Sequence, residues 1–395
     1  MAKLIPLEDR GPLRVLFVHT FMPVGGAETL LVNLIRRLDR ARFEPEVCCL
    51  KFPGPLGDVI GQEVPLHTHL LKHKYDLRVL PRLVKLIRQQ KYDAIVTVGA
   101  GDRMFWGRLA ARVAKVPVIL TALHSTGWPD VINRLNRALT PITDGFIAVA
   151  EEHARYLRDV EKFPAEKVFI APNGVNVQRF APREHNSQLR ESLNIPADAP
   201  TVGIVAALRP EKDHHQFLRV AQRVLSQCED AHFLIVGDGD LRGELEAYSQ
   251  ELKITDAVHF LGTRDDVPEL LSEMDVVALT SKMEANPVTI LEALAAGRPF
   301  VAPDVGSIAE TLLNGENGYV TPPGDEETMS ERIVHLLDHP ELADQFGSAG
   351  RQRVVDNFSL ERMFEAYENL IEDIYREKCD LQAAAPKKAT LVRNS

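Results

Sequence analysis

The chain has 395 residues, 45% apolar and 26% charged, and a net charge of −10. That composition excludes fibrous and disordered chains, and the length points to two domains. The charge is lopsided: residues 1–175 carry 25 Lys and Arg against 18 Asp and Glu, a net +7, and the remainder carries −17. Basic residues alternate with acids and no RNA-binding or zinc-finger signature occurs, so no nucleic acid partner is expected. Cys48, Cys49, Cys228 and Cys379 form no CxxC pair, as expected of reduced thiols in a cytoplasmic protein. No apolar run reaches the roughly 18–20 residues of a membrane span. Lys3 and Pro6 interrupt the start of the chain, which is unlike a secretory signal.

Short β-rich runs alternate with helical patterns. The first run is Arg14–His19, followed by an amphipathic stretch from Ala27 to Leu38. Further runs follow at 93–98, 116–120 and 145–149. Near-continuous apolar strands separated by helices predict parallel sheets covered on both faces. The alternation pauses over residues 172–198, where Pro172-Asn173-Gly174, Pro182 and Pro196 lie, and restarts at Thr201. Strands are then predicted at 201–206, 232–236, 258–261, 276–279 and 299–302. The expected architecture is therefore α/β, with two doubly wound Rossmann-like domains facing a central cleft. Their bounds are 1–175 and 176–359, with the helix 360–378 crossing back onto the first and a disordered tail over 383–395. Ligands of such sheets bind at the carboxyl ends of the strands.

Four stretches carry chemistry. Glu284 follows the strand 276–279, and Pro287 suits the first turn of the next helix. Glu292 falls inside that helix among Leu291, Ala293 and Leu294, where a carboxylate needs donors to offset desolvation. Ribose hydroxyls would serve, and so would a nearby lysine or arginine; the helix pattern alone leaves both open. Backbone N–H groups of Ala285, Asn286 and Val288 could reach sugar hydroxyls or phosphate oxygens. Arg209 and Lys212 stand after the strand 201–206, with Asp213 a candidate N-cap. Two cations there suit a leaving diphosphate, although an Arg–Glu pair in a solvated loop is the commoner use of such residues. Gly25 and Gly26 follow the first strand and allow close backbone approach, but they do not form GxGxxG. His124 follows the strand at 116–120 and could point into the cleft, or be a satisfied structural histidine. Gly237 and Arg264 are weaker candidates at later strand ends. His67, His69 and His73 are close in sequence but give only a weak metal signal, and there is no DxD motif or P-loop.

At these residues the sequence resembles the family-4 retaining glycosyltransferases of GT-B fold over about residues 12–378. The most specific part is the E-x7-E element, Glu284 and Glu292. Supporting matches are Gly25-Gly26-Ala27-Glu28, Arg209 with Lys212, Pro172-Asn173-Gly174-Val175, Gly237-Asp238-Gly239, and Asp304-Val305-Gly306-Ser307 leading to Glu310. The resemblance implies that Glu292 binds ribose, Glu284 contacts the donor sugar, and Arg209 and Lys212 hold the diphosphate. It places Gly25 and Gly26 beside the donor and His124 near the transferred sugar. It also implies transfer from a nucleotide-sugar donor with no metal or other cofactor. Family members often carry Gly-Phe after the first glutamate, where Ala285-Asn286 stands here. Pro287 removes a backbone donor, so the accepted sugar is left open.

The acceptor, a glycan or lipid-linked molecule, is expected on the first domain. There Leu80, Leu83, Val84 and Ile87 form an apolar stripe beside Arg78, Arg82, Lys85 and Arg88. Such a helix could rest on an anionic membrane at the inner face, but an ordinary domain helix burying its stripe is the favoured reading. Two rivals remain: an epimerase or hydrolase of the same architecture, and a sugar-nucleotide-binding protein without catalysis.

Overall fold

A computed structural model describes residues 4–73, 76–124 and 131–384, excluding the side chains of 131–134. Two parallel sheets organise it. The first contains β1 (Leu13–His19), β2 (Phe43–Cys49), β3 (Leu66–His67), β4 (Ala94–Val98), β5 (Val118–Ala122), β6 (Gly145–Ala148) and β7 (Val168–Ile170), in the order β3-β2-β1-β4-β5-β6-β7. The second contains β8 (Thr201–Val205), β9 (His232–Val236), β10 (Val258–Gly262), β11 (Val276–Ala278), β12 (Phe300–Pro303) and β13 (Gly318–Thr321), in the order β10-β9-β8-β11-β12-β13. These are two Rossmann-like α/β domains of GT-B type. The strand order reverses between β1 and β4 and again between β8 and β11, and such reversals open crevices at the strands' carboxyl ends.

β2 escapes a pattern reading because Glu44, Pro45 and Glu46 interrupt its apolar run. The fold tolerates buried Glu46 by surrounding it: Arg14 lies 2.5 Å away, His67 2.7 Å, and the Tyr92 hydroxyl donates to it. Burial alone would raise its pKa, but these partners hold it below the usual carboxylate range. The His67 Nε2 is thus bonded to Glu46, and the His69 Nδ1 bonds the Thr68 hydroxyl.

The stripe on the helix Val79–Gln90 is buried: Val79, Leu83, Val84 and Ile87 pack with Leu16, Val18, Ile95 and Ile119. Its apolar face belongs to the domain core. Among the described residues no helix is long and apolar enough to cross a membrane.

The helix Leu360–Ala384 returns to the first sheet, where Leu360, Met363, Phe364, Tyr367, Ile371, Ile374 and Tyr375 are buried with Val15, Phe17 and Leu31. Each such side chain contributes roughly 1.5–3 kcal/mol. Polar bonds pin it as well: Glu368 accepts from the Asp39 N–H at 2.8 Å and lies 2.7 Å from Arg42, and Lys378 lies 2.5 Å from Asp144. The helix outruns the expected end at Lys378 because Leu381 to Ala384 keep its geometry. Residues 383 and 384 are therefore helical rather than part of a disordered tail, and 385–395 lie outside the described residues.

The chain passes between the sheets twice, and the crossings run side by side. The Val175 N–H donates to Phe358 O at 2.9 Å and the Leu360 N–H to Val175 O at 3.2 Å. Gly174 lies so close that a Cβ would overlap the backbone of Ser359 and Leu360. A glycine is required there by close approach, not by its φ.

Candidate active site

The structure brings together some of the predicted residues, Lys212 with Glu284 and Gly26 with Val288, at strand ends beside the two reversal points. On the second domain, β11 is followed by a loop that enters the helix Val288–Ala295. Pro287 is the N-cap, one residue ahead of the helix, and Val288 opens it. The first N–H groups of this helix lack intrahelical acceptors, so its N-terminus favours an anion. The loop is held from behind: Gly306, at φ 58°, sits where a Cβ would overlap the Glu284 carbonyl, and Ser307 Oγ donates to Ala285 O. Only glycine takes this left-handed conformation against another backbone without cost.

Glu284 is 8% exposed. Its Oε1 accepts from Lys212 Nζ at 2.5 Å and from Ser281 Oγ at 2.7 Å. The sequence assigned Glu284 and Lys212 to different parts of a donor, and the fold joins them as an ion pair. Lys212 is presented by a short turn, Pro210–Lys212, after β8. Thr280 Oγ1 bonds the carbonyls of Lys212 and Asp213 at 3.1 and 2.9 Å, locking this turn to the loop after β11. Asp213 caps the helix His214–Leu225 by accepting from Gln216 N–H. Arg209 is exposed and has no side-chain partner among the described residues.

Glu292 has neither a hydrogen bond nor an ion pair among the described residues, although it lies in an apolar helix. Burial pushes its carboxyl up to about 7, with Arg179 opposing at a distance. Of the two readings open in the sequence, an ion pair with a lysine or arginine is not found among the described residues. Gly237 donates its N–H to Gly262 O at 2.9 Å, closing the turns after β9 and β10. Arg264 forms a two-point pair with Asp266 at 2.7 and 2.5 Å, so its fork is already occupied.

On the first domain, Gly25 is the N-cap of the helix Gly26–Arg37, after β1. A Cβ on Gly26 would lie 3.4 Å from Val288 Cγ2, so Gly26 touches the opposite domain at its helix start. Beside it, His19 Nε2 lies 3.3 Å from Glu28 Oε1. Burial lowers the pKa of His19; burial would raise that of Glu28, but its bond to His19 holds it down. His19 is therefore a neutral donor to an ionised carboxylate. His124, past β5, is pushed down to about 4 by burial, and its Nδ1 has no partner. His153 accepts the Val149 N–H on Nδ1 at 3.3 Å, leaving its buried Nε2 unmatched.

Asn286, Asn173 and Glu310, marked in the sequence for other reasons, join the halves. Asn286 donates to Val149 O at 3.2 Å, and Asn173 donates to Asn286 O at 2.9 Å. Glu310 receives the N–H groups of Glu151, at 2.9 Å, and Glu152, at 2.5 Å, capping the helix Glu151–Asp159 from the other domain. Nothing local marks these roles: each donor and acceptor pair spans more than a hundred residues of chain.

Two Rossmann-like domains with paired cations, a glutamate pair and a helix N-terminus on a shared cleft define a nucleotide-sugar transferase of GT-B architecture. Comparison with known proteins agrees. Residues 186–353 match the family described as glycosyl transferases group 1, and residues 24–179 match glycosyltransferase family 4. The chain belongs to the family-4 glycosyltransferases and transfers a sugar from a nucleotide-sugar. It is 24% identical to the UDP-Gal:alpha-D-GlcNAc-diphosphoundecaprenol alpha-1,3-galactosyltransferase of Escherichia coli, over 93% of this chain and 98% of that one. It is 27% identical to the N,N'-diacetylbacillosaminyl-diphospho-undecaprenol alpha-1,3-N-acetylgalactosaminyltransferase of Campylobacter jejuni, over 74% and 81%. Anabaena HepE, solved in complex with UDP, shares the fold with a TM-score of 0.79 at 22% identity, covering 91% of this chain and all of that one (100%).

Proposed function

We propose that the chain moves a hexose, with retention and without a divalent metal, from a UDP-sugar or GDP-mannose to a hydroxyl of a glycan or lipid-linked acceptor. The expected setting is cell-envelope or exopolysaccharide synthesis. The observation that carries this reading is Glu292, an acid left unmatched by protein at the cleft. Ribose hydroxyls would supply its missing donors. Lys212, Arg209 and the start of the helix Val288–Ala295 bear the diphosphate, and Glu284 and His124 line the sugar. In the transfer, the acceptor oxygen bonds to the anomeric carbon from the face on which its bond to phosphate breaks. The acceptor proton passes to the departing phosphate oxygen. The protein then supplies position and positive charge, with no strong base. The relatives' diphosphoundecaprenol substrates and the UDP held by HepE support the donor and acceptor classes.

A thermal-shift screen of nucleotide sugars tests the donor, since a ligand of the native state raises its stability. Incubation with the stabilising donor, with and without acceptor, then separates transfer from epimerisation or hydrolysis. Binding without turnover over a broad acceptor panel would overturn the enzymatic reading.

A peripheral position on the inner, anionic membrane face rests on the rim of the first sheet. Val24, Phe52 and Leu77 are 57%, 51% and 72% exposed in loops following β1, β2 and β3, and Leu77 shares a hollow with Lys72, His73, Asp76, Arg78 and Arg82. Lys74 lies outside the described residues. Exposed apolar side chains with lysine and arginine beside one of them fit a lipid headgroup region. Flotation with vesicles of anionic lipid at low salt checks it; failure to co-float removes the membrane from the proposal.

A further inference from the structure

The cleft contains another unmatched side chain, on the first domain's side. Arg103 is the second residue of the helix Asp102–Ala114, which follows β4 at the reversal point beside β1. It makes no hydrogen bond or ion pair with any described residue, and its Nε is sealed from solvent. Other arginines of this domain are provided for. Arg10 and Arg14 pair with Asp93 and Glu46. Arg108, five residues further along the same helix and fully buried, bonds the Met104 and Asn136 carbonyls, the Asn136 side chain and Thr143 Oγ1. A buried arginine is therefore not beyond this fold's means to satisfy, and Arg103 carries a desolvation cost that no hydrogen bond or ion pair with a described residue offsets.

Its position is fixed. The guanidinium lies flat against Gly99, where a Cβ would overlap its Nη2, Nε and Cζ, so a side chain at 99 would evict it. The acids nearest in charge are Glu28 and Asp102, and His19 and His124 stand on the same floor. Glu28 is already bonded to His19 and folds over Gly25, and neither acid forms an ion pair with Arg103. The two terminal nitrogens remain accessible and present a planar fork. That geometry matches the paired oxygens of a phosphate or carboxylate.

We propose that Arg103 binds an anionic group, phosphate or carboxylate, carried by the acceptor, and so makes the enzyme selective for charged acceptors. The inference rests on the transferase reading above. The donor diphosphate has its own cations, Arg209 and Lys212, on the second domain; Arg103 belongs to the first domain's sheet, where the acceptor hydroxyl must approach.

The test uses the full chain saturated with whichever of UDP or GDP binds it, titrated with inorganic phosphate and, separately, with succinate. The expected result is anion binding that weakens at least roughly tenfold in Arg103→Gln and recovers in part in Arg103→Lys, with nucleotide affinity unchanged in both. The phosphate and succinate arms tell a phosphorylated acceptor from a carboxylated one. Three results overturn the proposal: neither anion binds the wild type, binding is equal in Arg103→Gln, or Arg103→Gln weakens the nucleotide instead. Failure of the transferase reading has a different signature, since then neither nucleotide binds the wild type at all.

Discussion

On the proposed ribose role, Glu292 should couple nucleotide binding to pH. Its carboxyl is raised to about 7 in the free protein, chiefly by burial. A raised acid stabilises the folded state below the unfolded pKa, and that contribution is lost as pH rises through about 7. Ribose hydroxyls donate best to the ionised form. Nucleotide binding must therefore draw the proton off, and affinity should rise with pH between about 6 and 8. Calorimetry across that range checks the sign, with proton release on binding as its companion. Glu292→Gln should flatten the profile and weaken nucleotide binding by roughly 1–3 kcal/mol. An unchanged profile in that variant would remove Glu292 from the site. Glu292 was conspicuous in the sequence because an acid among Leu291, Ala293 and Leu294 is anomalous by itself. Arg103 was not, because an arginine at a helix start looks solvated until the fold shows that no described residue bonds it.

At the scale of elements, the two halves are joined by polar groups on backbone atoms. Glu310 is the clearest: one carboxylate caps a helix of the facing domain through the N–H groups of Glu151 and Glu152. Charge at a helix N-terminus with two bonds contributes on the order of 1–2 kcal/mol. Glu310→Ala should shift the ligand-free protein toward a more open arrangement, read as a larger radius of gyration in solution scattering. Saturating nucleotide should restore compactness, because the loop from Glu284 to Val288 is still present. No change in radius would mean the cap does not hold the domains together. Such contacts are illegible in sequence for a simple reason. Strands and helices announce themselves by local period, whereas Asn286 and Val149, or Glu310 and Glu151, become neighbours only after both sheets exist. The same contrast separates β1, whose apolar run is plain, from β2, whose Pro45 and Glu46 are tolerated only because Arg14, His67 and Tyr92 gather around the acid.

For the whole molecule, the sequential division of the chain and its physical division differ. The first sheet ends at Ile170, but seven buried side chains of its core come from the helix Leu360–Ala384. Ending the chain at Ser359 should leave the second domain able to bind nucleotide weakly while the first loses cooperative melting. Differential scanning calorimetry would show one transition missing. A truncated protein that melts like the full chain would mean the helix is a mere appendage.

The returning helix also has a consequence for how the protein is made. A ribosome releases the first sheet early, yet that sheet's core stays open until the helix after the whole second domain is made. The second domain, contiguous in the chain, can close while its elder neighbour waits. While the second domain is made, the nascent chain thus exposes the apolar faces of Leu30, Leu31, Leu34 and Phe17, a surface that a chaperone would have to shelter until Tyr375 emerges.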